Sequence, residues 1–253
     1  MDGIRRLLAP NPGLMTGPGT NTYLVGDDVV IDPGPDDAGH VRAIAEATAG
    51  RLRLILLTHR HRDHAAASGR LQALTGARIA CWHADGPNDL PLQDGDVVET
   101  ISGAIAAIHT PGHASDHLCF LLGGALFAGD MVAGVGTLVI APPDGDMAAY
   151  LSSLDRLASL GASVLMPGHG DPISDVAGKL AEYKAHRLQR EAQVLERVEA
   201  GRGAIAAIVA DLYGAIDARL HPIAAQQVHA HLLKLAAEGR VREDKRGWSR
   251  RLD

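Results

Sequence analysis

The sequence predicts a mixed α/β (α+β) fold, two β-sheets packed face to face with helices outside, followed by a small winged-helix-like tail. Three observations predict it. Short apolar runs recur in two series between residues 22 and 166, each series accompanied by helical segments. Glycine-bearing turns follow several of these runs. Beyond residue 187 the chain changes style, to helices that end in a basic hairpin.

Residues 10–21 are dense in Pro and Gly and predict a loop. Residues 22–26 and 29–32 read as short strands joined at Gly26-Asp27-Asp28, and Asp32-Pro33-Gly34-Pro35 closes the second. Over 37–49 the spacing of Val41, Ile44 and Ala45 predicts an amphipathic helix capped by Asp36 or Asp37. The run 52–57, apolar at every position but Arg53, predicts a buried strand, and 65–74 a helix. Strands are expected at 78–82, 97–101, 104–108, 118–122, 125–127 and 164–166, a loop at 85–95 and a helix at 147–160. Residues 129–145 are too glycine-rich for an assignment. In the tail, helices at 177–200, 203–213 and 222–238 precede strands at 239–243 and 247–250 around Lys245-Arg246-Gly247. Three helices and a hairpin suggest a winged helix. Two domains are expected, 1–186 and 187–253.

Composition excludes several classes. With 46% hydrophobic and 21% charged residues over 253 positions, the chain is globular and long enough for a substantial core. Aromatics make up only 3%, so Ala, Val, Leu and Ile must build that core. No apolar run reaches the roughly 18 residues of a membrane helix. Residues 1–10 lack the basic head and apolar middle of a signal peptide, so a cytoplasmic protein is expected. Cys81 and Cys119 show neither a disulfide framework nor paired metal spacing and are read as small buried residues. Residues 1–186 carry 12 Lys and Arg against 21 Asp and Glu, whereas 187–253 carry 12 against 9. The tail is either a solvated face or a surface for an anionic partner.

Chemistry concentrates in Thr58-His59-Arg60-His61-Arg62-Asp63-His64, at the end of the apolar run 52–57. Its imidazoles and carboxylate suit zinc, and manganese or iron accept the same donors. Alone, the stretch could be a histidine-rich surface loop. Three further donors with one grammar argue against chance: His113 in Thr110-Pro111-Gly112-His113, Asp130 in Phe127-Ala128-Gly129-Asp130, and His169 in Pro167-Gly168-His169-Gly170. Each follows an apolar run, and glycine lets the backbone turn sharply there. Together they suffice for two metal ions if one aspartate bridges. Asp32 and Asp116 are candidates to anchor the histidines' second ring nitrogens. His117 is a candidate substrate contact or hydrogen-bond donor. His109 is read as a core residue, and His40, His83, His221, His229 and His231 as solvent-facing or packed in helices.

This pattern, His-x-His-x-Asp-His followed by single His, Asp and His in separate turns, resembles the metallo-β-lactamase superfamily over residues 1 to about 175. The resemblance implies a four-layer αββα sandwich. It places His59, His61 and His113 on one divalent ion, Asp63, His64 and His169 on a second, and Asp130 between them, with zinc the first choice and manganese or iron the others. It implies a hydrolase using a metal-bridging hydroxide. Asp63 would orient the water and carry a proton to the leaving group.

Departures narrow the field. Subclass B1 lactamases have Cys where this chain has Asp130, and oxygen-reducing diiron relatives have Glu in place of His61. The stretch Thr16-Gly17-Pro18-Gly19-Thr20-Asn21-Thr22-Tyr23-Leu24-Val25-Gly26, the His186-Arg187 pair and the tail resemble the lactamase-β-like protein 2 group, for which hydrolysis of single-stranded RNA is implied in some members. The alternative substrates are small thioesters, esters such as lactones, or the amide of a β-lactam, as in glyoxalase II or the lactamases. A third reading makes the winged helix a regulatory or nucleic-acid-binding module. Against it, residues 223–237 contain only Lys234 as a cation, so packing or homodimerisation through the tail is expected.

Overall fold

The computed structural model describes residues 3–83, 89–136, 138–245 and 247–251. Residues 85–88 of the expected loop and Arg246 of the hairpin turn lie outside the described residues. The chain forms two compact units, one of residues 1–110, 116–138 and 157–179, the other of 111–115, 139–156 and 180–253. Its elements are, in order, β1 (Ile4–Leu8), β2 (Asn21–Val25), β3 (Val29–Ile31), α1 (Ala38–Ala47), β4 (Leu54–Leu56), α2 (Arg62–Ala65), α3 (Ser68–Thr75), β5 (Arg78–Cys81), β6 (Leu90–Pro91), β7 (Val97–Thr100), β8 (Gly103–His109), β9 (Leu118–Leu122) and β10 (Ala125–Gly129). There follow α4 (Met147–Ala158), β11 (Val164–Pro167), α5 (Val176–Glu199), α6 (Ile205–Tyr213), a 3-10 turn at Ala218–Leu220, α7 (His221–Ala237), β12 (Val241–Asp244) and β13 (Gly247–Arg250).

In the first unit one sheet runs β1-β2-β3-β4-β5-β6 and the other β11-β10-β9-β8-β7. From β3 to β6 the first sheet is parallel, so its strands are joined by crossovers through α1 and through α2 and α3. Side chains alternate across a strand, and the burial follows that rule. Tyr23, Val25, Val29, Ile31, Leu54 and Leu56 point from the first sheet into a core shared with Ile105, Ala107, Leu118, Phe120, Phe127 and Met166 of the second. Their neighbours Leu24, Val30, Ile55 and Ile79 point the other way, against Val41 and Ile44 of α1 and Leu71 of α3. Both faces of β4 are thus buried, which is why residues 54–57 are apolar without alternation. The Tyr23 and Phe127 rings meet edge to face at 5.3 Å between the sheets. Burying one such aromatic contributes about 1.5–3 kcal/mol.

Asp37 caps α1, its Oδ1 accepting from the His40 N–H at 2.7 Å. The expected single helix at 65–74 is instead two, because the Ala67 N–H donates to Gly34 O rather than back along its own turn. The first of them starts inside the histidine stretch. Strand β1, with an exposed basic pair at Arg5 and Arg6, was not expected from the sequence. Its alternation is too weak to read. His109 is half-buried rather than a core residue, its ring stacked on Trp82 at 3.6 Å.

In the second unit Val194 and Val198 of α5, Ile208 and Val209 of α6, Val228, Leu232 and Leu235 of α7, Val241 and Trp248 form one core. On α7, Lys234 donates to Glu191 Oε1 at 2.8 Å and Glu238 Oε1 at 2.6 Å. No helix among the described residues is long and apolar enough to cross a membrane.

Candidate metal centre

Strand β4 ends at Leu56, and Leu57 and Thr58 carry the chain to the edge where a parallel sheet opens into loops. Thr58 is clamped there. Its N–H donates to Asp32 Oδ1 at 2.8 Å, its hydroxyl donates to Asp32 Oδ2 at 2.7 Å, and its carbonyl accepts from the Leu118 N–H at 2.6 Å. Asp32 follows β3 in a left-handed conformation, φ +52°, which only short polar side chains and glycine adopt readily. The carboxylate so placed also accepts from His64 Nδ1 at 2.9 Å. Asp32 is thus an anchor for a ligand histidine, as expected.

His169 is held from three sides. The Thr20 and His169 backbones bridge, the Gly134 N–H donates to His169 O at 2.8 Å, and Gly19 O lies 3.3 Å from its Nδ1. Asn21 pins the same turn, its side chain donating to Pro167 O at 2.9 Å and Gly170 O at 2.6 Å. Sequence reading passed over Asn21 and Thr58 as hydrogen-bonding hubs; a small polar residue beside a strand end carries no signal of its own. His113 belongs to the second unit, in the turn after Gly112, with its Nδ1 2.7 Å from Val139 O.

These contacts set the tautomers. Carboxylate and carbonyl oxygens only accept, so His64, His169 and His113 carry their proton on Nδ1. The Thr58 hydroxyl, having spent its proton on Asp32, accepts from His59 Nδ1 at 3.0 Å. All four rings therefore leave Nε2 as a lone-pair donor, the arrangement of metal-bound histidines.

Six of the predicted ligands lie in the first unit. The His61 ring stands edge-on to that of His59, 4.6 Å away. His59, His64 and Asp130 form one group with donor atoms within 4.8 Å of one another, and Asp63, His64 and His169 form another. From His64 Nε2 the distances are 3.3 Å to His169 Nε2, 3.7 Å to Asp63 Oδ2 and 3.5 Å to Asp130 Oδ1. His169 Nε2 lies 3.3 Å from Asp63 Oδ2 and 3.6 Å from Asp130 Oδ1. Donor atoms 3.3–3.7 Å apart have the spacing of neighbouring ligands on one ion bonded at about 2.0–2.2 Å, the length zinc makes to nitrogen and oxygen donors. The residues fit a divalent ion.

The electrostatics agree. Burial disfavours a charged His64, yet Asp130 and Asp32 outweigh it and hold the imidazole well above its usual range. Burial likewise opposes the charge on His169, and its contact with Asp63 raises it nonetheless. Asp63 is desolvated too, but His169 and then His64 keep its carboxyl below the ordinary value. Buried carboxylates here demand positive charge, which a divalent cation supplies without taking up the Nε2 protons.

Replacing Asp32 by Asn keeps the side chain's shape and its tolerance of the left-handed backbone. The expected result is zinc affinity weakened about 10–100-fold, as for other residues that orient metal-bound histidines. Competition with a chelator of known affinity measures it, and unchanged affinity would remove Asp32 from this role.

Residues 15–88 and 79–169 match the metallo-beta-lactamase superfamily, and residues 204–248 match the beta-lactamase associated winged helix domain. The chain is 33% identical to the beta-lactamase-like protein 2 homolog of Drosophila melanogaster, over 96% of this chain and 90% of that protein. It is also 33% identical to an atrochrysone carboxyl ACP thioesterase of Aspergillus chevalieri, over 98% of this chain and 85% of that one. A crystal structure of a metallo-beta-lactamase family protein from Thermus thermophilus superposes with a TM-score of 0.82 at 26% identity, covering 99% of both chains. By these matches and by its fold, an αββα sandwich followed by a winged helix, the chain belongs to the metallo-beta-lactamase superfamily and is a hydrolase of that family.

Proposed function

We propose that the chain is a two-metal hydrolase of thioesters. The observation that carries the metal part is the cluster in which Asp63 and Asp130 each lie 3.3–3.7 Å from the His64 and His169 Nε2 atoms, with His59 in the overlapping group that shares His64 and Asp130. That overlap supports Asp130 as the carboxylate between two ions, His59 and His61 serving one and Asp63, His64 and His169 the other. Bound there, divalent ions would supply an activated water at neutral pH and polarise the group under attack.

The chain's own residues do the rest. Asp32 and Thr58 hold the His64 and His59 rings in one tautomer, so neither spends binding energy on reorientation. Asp63 has a side chain 32% exposed, against 9% for Asp130 and 2% or less for His64 and His169. It is the carboxylate of this group that an incoming substrate meets. Ionised at neutral pH by its contact with His169, it can accept a proton from the attacking water and return it to the departing sulfur.

The substrate class rests on the thioesterase among the relatives. Single-stranded RNA is supported less. The one cation of α7 is already shared between Glu191 and Glu238, and the 3% of aromatic residues offers few faces for base stacking. One panel decides: a coenzyme A thioester, a glutathione thioester, a lactone, a β-lactam and single-stranded RNA, each with zinc-loaded and chelator-treated protein. Thiol release that chelator abolishes is expected. RNA cleavage with the thioesters untouched would transfer the reading to a nuclease, and hydrolysis indifferent to chelator would end it.

A further inference from the structure

We propose that His117 is a positioning residue, an imidazole that fixes the Asp130 backbone by accepting its N–H. This rests on the metal reading above. His117 is fully buried, immediately before β9. The Asp130 N–H donates to its Nε2 at 3.1 Å. A backbone amide can only donate, so Nε2 is unprotonated and the ring proton sits on Nδ1, which reaches Thr110 Oγ1 at 2.9 Å. His117 is therefore a neutral imidazole with opposite roles assigned to its two nitrogens. From sequence it was expected as a substrate contact or a donor; burial removes the first role, and towards Asp130 it is the acceptor.

The turn it holds is tightly placed. Gly129 has φ +46°, and a Cβ there would come within 2.6 Å of His117 Nε2 and 2.7 Å of Thr58 Oγ1. The Gly129-Asp130 backbone is thus pressed between the residue that aligns His59 and the residue that anchors Asp130. His117 also lies along the His59 ring, centroids 5.1 Å apart and planes 30° apart. Asp130 Oδ1 has to sit 3.5–3.6 Å from two imidazole nitrogens, and a side chain this short takes its place from its backbone. Swinging that backbone away would spoil the donor set without touching a ligand.

The test compares zinc affinity and stoichiometry, by chelator competition, in wild type, His117→Asn and His117→Gln, together with the thermal midpoint of each metal-free protein. The Asn amide reaches the place of Nδ1 and keeps the Thr110 contact while giving up the acceptor for Asp130; the Gln amide reaches the place of Nε2 and restores it. His117→Asn is expected to weaken zinc binding about 10–100-fold, and His117→Gln to recover most of that loss. Equal affinity in His117→Asn and wild type would overturn the proposal. So would equal losses in both variants that track their thermal midpoints, since that is mere packing. If His117→Asn does not fold, His117→Leu takes its place: it fills the space, accepts nothing and is expected to bind zinc about 10–100-fold more weakly than His117→Gln, equal affinities overturning the proposal. Wild type that binds no zinc would overturn the metal reading itself, an outcome distinct from all of these.

Discussion

In Asp63→Asn, hydrolysis of the best substrate falls about 10²- to 10⁴-fold, the span a positioned general acid–base contributes, while the circular dichroism spectrum and thermal midpoint stay near wild type. The fold is spared because Asp63 lies near the start of the short helix α2, half-buried, where an isosteric amide opens no cavity. Chemistry is not spared. The carboxyl is held in its charged form by His169 against the cost of burial, and an amide can neither take up a proton nor match that charge. Zinc analysis of the variant separates the two jobs assigned to this side chain. A kcat loss with two equivalents retained makes Asp63 chiefly the proton carrier; loss of one equivalent makes it chiefly a ligand. Activity within a few-fold of wild type would remove it from both roles.

The sheets and the donor cluster were legible for one physical reason. Residues 54–57 are apolar without alternation because β4 is buried on both faces, and a chain leaving such a strand must turn into solvent at its end. Histidines placed there announce themselves. Gly112, Gly129 and Gly168 mark turns in the same way. The supports were harder to see, since the hydroxyl of Thr58, the amide of Asn21 and the acceptor nitrogen of His117 act through contacts 26, 149 and 13 residues away in sequence. Spacing cannot show those. The division of the helix at 65–74 was hidden likewise, being caused by Gly34 O, which a different loop delivers to the Ala67 N–H. His109 misled because an apolar strand surrounds it in sequence, although its place at the end of β8 sets it against Trp82 and half in solvent.

Gly168→Ala should disrupt the donor cluster without replacing a ligand. A methyl group there would lie 2.6 Å from His64 Cε1, 2.7 Å from Asp130 Oδ1 and 3.2 Å from Gly129 O. The backbone has nowhere to retreat. Its N–H donates to Gly129 O at 2.8 Å and its carbonyl accepts from the Asn21 N–H at 2.7 Å, tying it to β10 and β2. The imidazole and the carboxylate must move instead, and they are two donors of the cluster, 3.5 Å apart. Zinc affinity is expected to fall by about 100-fold or more, at or beyond the upper end of what loss of a supporting residue costs, with activity falling alongside. Gly69→Ala is the matched control. Gly69 is exposed within α3 with nothing inside 4 Å of an added Cβ, so the change should stabilise the fold by about 0.4–1 kcal/mol and leave zinc binding alone. If Gly168→Ala binds zinc as the control does, the space between His64 and Asp130 is not where the ion sits, and the donor set would have to be redrawn around His59 and His61.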